Sequence, residues 1–183
     1  LQWRIDSNKR LYEYESYARD KGLMLRINLE LDVGLHRGGF ADEPAFREAL
    51  EYIKSSQHLS LGGLMGYEAH ITKIPRFLGG PEGALGQTKV RYQQFVSIVE
   101  DVFPDSQNLC LNAGGSTTYP LYKQGDICNE LATASALVKP SDFDVFTLAQ
   151  HKPAEFIATP VLKLVNKPDL PMAPLLSRLM RGL

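Results

Sequence analysis

Residues 26–40 read "RINLELDVGLHRGGF", and the interpretation of the whole chain starts from them. The first part is apolar at most positions, which is typical of a buried strand covered on both faces. The second part places Arg37 between Leu-His and Gly-Gly, directly after that strand. Glycines at positions 34, 38 and 39 leave the backbone bare around this arginine. We therefore expect a strand that ends in a turn with a functional arginine.

The composition indicates a globular domain whose default ligand is a small molecule. The chain has 183 residues, 44% hydrophobic and 22% charged, which is ordinary for a globular protein. The net charge of -1 gives no support for binding nucleic acid or an anionic membrane. Cys110 and Cys128 have no metal-ligand spacing and predict buried free thiols. With no leader and no bilayer-spanning apolar run, we expect a cytoplasmic protein.

Strand-like and helix-like segments alternate along the chain. Asp6 and Ser7 predict the start of a helix that ends at Gly22, and Asp42 predicts the start of a second helix. We expect strands within 1–5, 23–33, 58–71, 108–120 and 127–135, a loop at 73–86, helices at 87–103 and 143–150, and an extended run at 155–166.

This alternation predicts an α/β fold with parallel strands and crossover helices. Two architectures compete. A doubly wound sheet would carry G-x-G-x-x-G after its first strand, and that spacing is missing here. A (β/α)8 TIM barrel would place functional residues at the C-terminal ends of several strands, which matches this sequence. Since a complete barrel takes about 250 residues, we predict a partial one.

Four predicted strand ends carry the unusual residues: "DVGLHRGG", "GYEAH", "NAGGSTTY" and "ELATAS". Each has an ordinary explanation when taken singly, as a surface arginine, a core histidine or a simple turn. Together they indicate a site, because a barrel brings all of its strand ends to one mouth.

The chemistry these ends could share is recognition of a phosphorylated aromatic cofactor. "AGGSTTY" offers bare backbone N–H groups and three hydroxyls, which suit a phosphate. Ala134 and Ser135 form a second small turn that could supply further donors. Arg37 would direct a permanent charge at a phenolate-type oxygen. His70 and Tyr67 could lie against the ring or assist proton movement.

The blocks "LELDVGLHRGGF", "GLMGYEAHI", "LNAGGSTTYPLY" and "NELATASALVKPSDFD" resemble the pyridoxal-phosphate barrel domain of the alanine-racemase-like (fold type III) superfamily. They look most like its D-threonine aldolase and D-serine dehydratase branch, and the resemblance covers about residues 23–161. It implies a barrel that holds pyridoxal 5'-phosphate and a C-terminal β-domain that often contributes a divalent metal site. It also implies a homodimer.

The resemblance assigns a role to each candidate residue. Arg37 would contact the phenolic oxygen of the cofactor, and His70 would lie near its ring. The residues expected to bind phosphate are Gly114, Gly115, Ser116 and Thr117, with Ala134 and Ser135 completing that part of the site. Position 134 is usually glycine in the family, so the alanine is a departure.

Two further departures concern the lysine and the metal. The cofactor-binding lysine of the family lies on an earlier barrel strand, and neither Lys73 nor Lys139 matches it, so both are interpreted as surface or loop lysines. The metal-binding segment is also missing. We therefore expect a fragment, with residues 1–155 a partial barrel and 156–183 the truncated beginning of a C-terminal β-domain, and leave open whether it is active alone.

The reaction expected from the resemblance is a lyase reaction on β-hydroxy D-amino acids. Alanine racemases place an arginine against the pyridine nitrogen, and the corresponding segment here, residues 131–133, has none. That favours elimination or retro-aldol cleavage, with Tyr67 and His70 as catalytic candidates. Three alternatives stay open: a racemase of the same superfamily, a non-catalytic pyridoxal-phosphate-binding barrel, and a cofactor-free α/β domain.

Overall fold

The structure, a computed structural model, describes residues 1–123 and 125–161. Its described part contains a parallel sheet with helices between the strands. The elements are β1 (Trp3–Ile5), α1 (Asn8–Lys21), β2 (Leu25–Leu31), α2 (Glu43–Ser55), β3 (Leu59–Gly66), α3 (Gly80–Val102), β4 (Cys110–Ala113) and β5 (Glu130–Leu131). Among these residues, no helix combines the length and the apolar character needed to cross a membrane.

The sheet has the order β1-β2-β3-β4-β5, and every neighbouring pair is parallel. Each strand thus lies beside the next strand in the chain. A doubly wound sheet instead reverses its strand order at a switch point. The uninterrupted order is that of a barrel sector, which confirms the predicted α/β class and partial TIM barrel.

The starts of the first two helices follow from their capping residues. Ser7 Oγ accepts a hydrogen bond from the backbone N–H of Arg10 at 3.4 Å, and α1 ends at Gly22 with φ of 61°. Asp42 Oδ1 accepts from the Ala45 N–H at 3.0 Å and begins α2. Both predicted helix starts and the glycine stop are confirmed, because these side chains satisfy donors that the first turn leaves free.

The third helix begins earlier than predicted. It starts at Gly80, whereas the sequence predicted a loop up to residue 86. Pro81 occupies one of the first helical positions and Glu82 lies in the first turn, and both residues favour a helix start. The segment was predicted as a loop because it is rich in glycine, which disfavours a helix.

The last two predicted elements are also less regular than expected. The helix expected at 143–150 is replaced by two short 3₁₀ turns, Ser141–Phe143 and Phe146–Leu148. The extended run expected at 155–166 is no strand as far as residue 161, and its remainder lies outside the described residues.

The two faces of the sheet differ in character. On one face, Leu29 of β2 is fully buried with Phe46 of α2 and Phe95 of α3, whose ring centroids lie 4.8 Å apart. The other face is polar. There Asn112 Nδ2 donates to Glu130 Oε1 at 2.8 Å. The helices therefore cover the apolar face, and the polar face is the concave side of the barrel sector.

Gly63 of β3 provides a test of this packing. A Cβ at this position would lie 1.9 Å from the backbone oxygen of Cys110 in β4, so alanine must force the two strands apart. We expect Gly63→Ala to lower the free energy of unfolding by roughly 3 kcal/mol, measured by urea denaturation. Gly86→Ala in α3 is the control, since nothing lies within 4 Å of its Cβ position, and it should raise stability by up to about 1 kcal/mol. Equal effects of the two substitutions would contradict the strand pairing.

Candidate functional site

A cavity of about 590 Å³ lies at the carboxyl ends of β3, β4 and β5. Nearly all of the residues predicted for the site line it, although they come from four separate strand ends. The predicted residues in its wall are Arg37, Tyr67, Gly114, Gly115, Ser116, Thr117, Ala134 and Ser135. Parallel strands in sequential order bring these segments to the same edge of the sheet.

His70 is the predicted site residue that the structure does not bring into this cavity. It lines a neighbouring cavity of about 730 Å³ together with Gly34 and His36. A Cβ at Gly34 would lie 3.2 Å from His70 Nε2, so the imidazole packs directly on the turn after β2. Burial, with a contribution from His36, lowers the pKa of His70 and favours its neutral form.

The turn after β4, residues 114–118, supplies part of the cavity wall and contains backbone N–H groups available as donors. It is curled by the hydrogen bond from the Thr118 N–H to the Gly115 carbonyl at 3.0 Å. Gly114 has φ of 84°, a left-handed conformation that favours glycine. Across residues 1–123 and 125–161, no hydrogen bond occupies the backbone N–H of Gly115, Ser116 or Thr117. Three successive donors of this kind suit an anionic group.

A hydrogen bond joins this turn to the small turn after β5. The backbone N–H of Ala134 donates to Ser116 Oγ at 3.1 Å. The Ser116 hydroxyl acts as acceptor in this contact, so its own proton can be donated to a ligand. The two turns that the sequence singled out are thus parts of one wall.

Arg37 lies over the ring of Tyr67. The guanidinium carbon is 4.5 Å from the ring centroid, and Arg37 Nη2 is 3.7 Å from Glu30 Oε1. The same ring packs against the β4 turn, since a Cβ at Gly115 would lie only 2.5 Å from Tyr67 Cε2. Tyr67 therefore connects the arginine to the turn, and the missing side chain at Gly115 makes room for it.

Asp32 shapes the turn that carries Arg37, and it was not among the residues predicted from the sequence. Its Oδ1 accepts from the N–H groups of Gly34 at 3.1 Å and His36 at 2.9 Å, while Oδ2 lies 2.8 Å from His36 Nδ1. Burial acts to raise the pKa of Asp32, but these hydrogen bonds outweigh it and hold the pKa below the ordinary value of 3.8. Its position directly after β2, two residues before Gly34, was the available signal.

Glu68 is the second site residue that was not predicted from the sequence, although it lies within the block "GYEAH". Its side chain is fully buried, with Thr118 Oγ1 donating to it at 2.5 Å and the Gly114 N–H at 3.3 Å. Burial raises the pKa of Glu68, against the opposing effect of these hydrogen bonds. The available signal was an acidic residue placed two positions after an apolar, glycine-rich strand that ends at Gly66.

The lysines occupy different places. Lys73, interpreted from the sequence as an ordinary loop lysine, is exposed but lines the cavity. No other lysine among the described residues lines it. Lys139 donates to the carbonyl of His151 at 3.0 Å. In the part of the chain that the structure describes, no group of three or more His, Cys, Asp or Glu side chains could hold a metal ion.

Comparison with known families identifies one match. The model of the alanine racemase N-terminal domain matches residues 1–130. No curated protein sequence matches the chain.

Solved structures with the same fold include racemases and an aldolase. Alanine racemase from Clostridium difficile 630 matches with a TM-score of 0.64 and 15% identity, over 82% of this chain and 40% of that one. D-threonine aldolase from Filomicrobium marinum matches with a TM-score of 0.65 and 16% identity, over 83% and 39%. Alanine racemase from Bacillus anthracis, with bound L-Ala-P, gives 0.63 and 13%, over 82% and 37%. The chain thus spans about 40% of the length of these proteins.

The lowered pKa of Asp32 predicts a pH-dependent contribution to stability. A carboxylate stabilised in the folded state contributes above its unfolded pKa, and the contribution is lost as the pH falls through the folded value. We expect Asp32→Asn to lower the free energy of unfolding by about 1–2 kcal/mol at pH 7, and the difference from the unsubstituted protein to shrink below pH 3.8.

The measurement is urea denaturation at pH 7 and at a pH below 3.8. Asp20→Asn, at an exposed position of α1, is the control and should have little effect at either. A loss for Asp32→Asn that is the same at pH 7 and at low pH would show that the carboxylate charge is not what stabilises the turn.

Proposed function

The chain belongs to the alanine racemase N-terminal domain family, which is pyridoxal-phosphate dependent, and on this premise we propose that its strand-end cavity binds pyridoxal 5'-phosphate. The observation that carries the proposal is that one cavity combines a positive charge, an aromatic ring and backbone donors that no described residue occupies. A phosphate, a phenolate oxygen and a pyridine ring are the groups that such a set can recognise.

The turn after β4 would hold the phosphate. The N–H groups of Gly115, Ser116 and Thr117 are unused by the described residues and can donate to phosphate oxygens. The Ser116 hydroxyl can add a donor because it accepts from Ala134 and keeps its proton. Ser135 lies in the same wall. The donors are neutral and fixed by the backbone, so they bind an anion without a dedicated cation.

Arg37 would bind the phenolic oxygen of the cofactor. Its guanidinium is a positively charged, multiple hydrogen-bond donor, so it can stabilise negative charge there. Glu30 and the ring of Tyr67 restrict where this group can lie. Tyr67 would also be placed to donate or accept a proton near the bound ring, whereas the same role for His70 requires movement from its present cavity.

We propose that the full-length protein is a lyase acting on β-hydroxy D-amino acids, of the D-serine dehydratase or D-threonine aldolase type. When bound, the cofactor supplies an electron-withdrawing ring that stabilises negative charge on the amino acid. Arg37 is the one arginine among the described residues of the cavity wall, and the segment after β5 contributes Ala132 and Thr133. This composition supports a ring nitrogen without an arginine partner, which favours electron withdrawal.

The remaining expectations are proposals that rest on the resemblance. They are a barrel domain over residues 1–155 and a second domain beginning at 156, a divalent metal held outside the described residues, a homodimer, and a cytoplasmic location.

Arg37→Ala tests cofactor binding. We expect at least about a tenfold weaker affinity for pyridoxal 5'-phosphate in equilibrium dialysis, because a charge-assisted hydrogen bond is lost. The absorbance of the bound cofactor should also shift, since the phenolic oxygen loses its cationic partner. Arg10→Ala, on the exposed surface of α1, is the control. An unchanged affinity together with an unchanged spectrum would remove the assigned role.

Product analysis tests the reaction. The full-length protein supplied with pyridoxal 5'-phosphate should convert D-serine to pyruvate and ammonia, or D-threonine to glycine and acetaldehyde. Arg37→Ala should reduce either rate by at least about tenfold, for the same reason as it weakens binding. Accumulation of the opposite enantiomer, without keto acid or aldehyde, would identify a racemase instead.

A further inference from the structure

We propose that Glu68 is a positioning residue that fixes the β4 turn in the form that receives phosphate. The inference rests on the proposed function for its consequence in binding. Its structural part, that Glu68 anchors this turn, stands on contacts within the protein.

The carboxyl of Glu68 reaches both ends of the turn. Oε2 accepts from the backbone N–H of Gly114 at 3.3 Å, and Oε1 accepts from Thr118 Oγ1 at 2.5 Å. Glu68 and Thr118 are both completely buried. Buried polar groups that lose their partners are costly, so each of these contacts resists opening of the turn.

The neighbouring Tyr67 holds the same turn at its centre. Its ring fills the space that a side chain at Gly115 would occupy. Two consecutive residues after β3 thus hold the β4 turn, one at its ends and the other in the middle. Between the anchored ends lie the N–H groups of residues 115–117, which no described residue accepts from.

Glu68 also changes the role expected for Gly114. The N–H of Gly114 is occupied by the carboxyl and is not a free donor for phosphate. Gly114 serves the turn through its left-handed backbone, with φ of 84°. The donors are therefore those of residues 115–117.

The contact depends on hydrogen bonding and does not require a negative charge. A charged carboxylate close to a phosphate would oppose binding, and burial already raises the pKa of Glu68. A glutamine can replace both contacts, because its oxygen accepts from the Gly114 N–H while its amide N–H donates to the Thr118 hydroxyl oxygen. A methionine of similar size can replace neither.

The first measurement needs no cofactor. Hydrogen exchange of peptides covering residues 112–120 should accelerate at least about tenfold in Glu68→Met, with exchange in α2 unchanged, and should stay near the original rate in Glu68→Gln. Thr118→Val, which removes one of the two contacts and keeps the volume, should give a smaller acceleration in the same peptides. Unchanged exchange of this segment in Glu68→Met and Thr118→Val would overturn the anchoring role.

The second measurement compares the affinities for pyridoxal 5'-phosphate and for pyridoxal, which lacks the phosphate, by equilibrium dialysis. The ratio of the two affinities should fall about tenfold or more in Glu68→Met and stay within about twofold in Glu68→Gln. A general loss of stability would weaken both ligands equally and leave the ratio unchanged. A ratio preserved in Glu68→Met, or lost equally in Glu68→Gln, would overturn the inference.

The two measurements distinguish a failure of the proposed function from a failure of the inference about Glu68. If the unsubstituted protein shows no preference for the phosphorylated ligand, the proposed function is overturned, and with it the role of Glu68 in binding. Exchange of residues 112–120 then still decides whether Glu68 anchors the turn. If the preference is present and Glu68→Met retains it, only the inference about Glu68 is overturned.

Discussion

Parallel pairing of consecutive strands is the constraint on which the site depends. Each strand from β1 to β4 hydrogen-bonds in parallel to the next one in the chain, so all five point the same way and end at one edge. The segments that follow these strands are far apart in sequence, from Arg37 to Ser135, yet they line the same cavity. The helices complete the arrangement by covering the apolar face, which leaves the strand ends free for a ligand.

The parts that the sequence predicted are those with local signals. Ser7, Asp42 and Gly22 act within one helical turn, and the structure uses them as expected. The turns containing Gly115 and Ala134 were predicted because functional residues of a barrel lie at the C-terminal ends of its strands. The family resemblance rested on four blocks that agree in order, because no single block would suffice.

The parts that the sequence did not predict depend on contacts between distant segments. Glu68 lies 46 residues from Gly114 and 50 from Thr118, and no local sequence pattern in either segment predicts this contact. Ala134, a departure from the usual glycine, has φ of -141°, outside the left-handed region that favours glycine, and its N–H reaches Ser116. His70 was assigned by its position in the block, but its ring packs on the turn after β2.

The central claim is that the turn after β4 is a phosphate site built from backbone donors. Amide chemical shifts of the isotope-labelled protein, recorded while pyridoxal 5'-phosphate is added, test it at the atoms concerned. The account predicts that the N–H signals of Gly115, Ser116 and Thr117 move together and saturate, with that of Gly114 changing less because Glu68 already occupies it. Saturating shifts confined to the polar concave face around Asn112, with the turn unaffected, would contradict it.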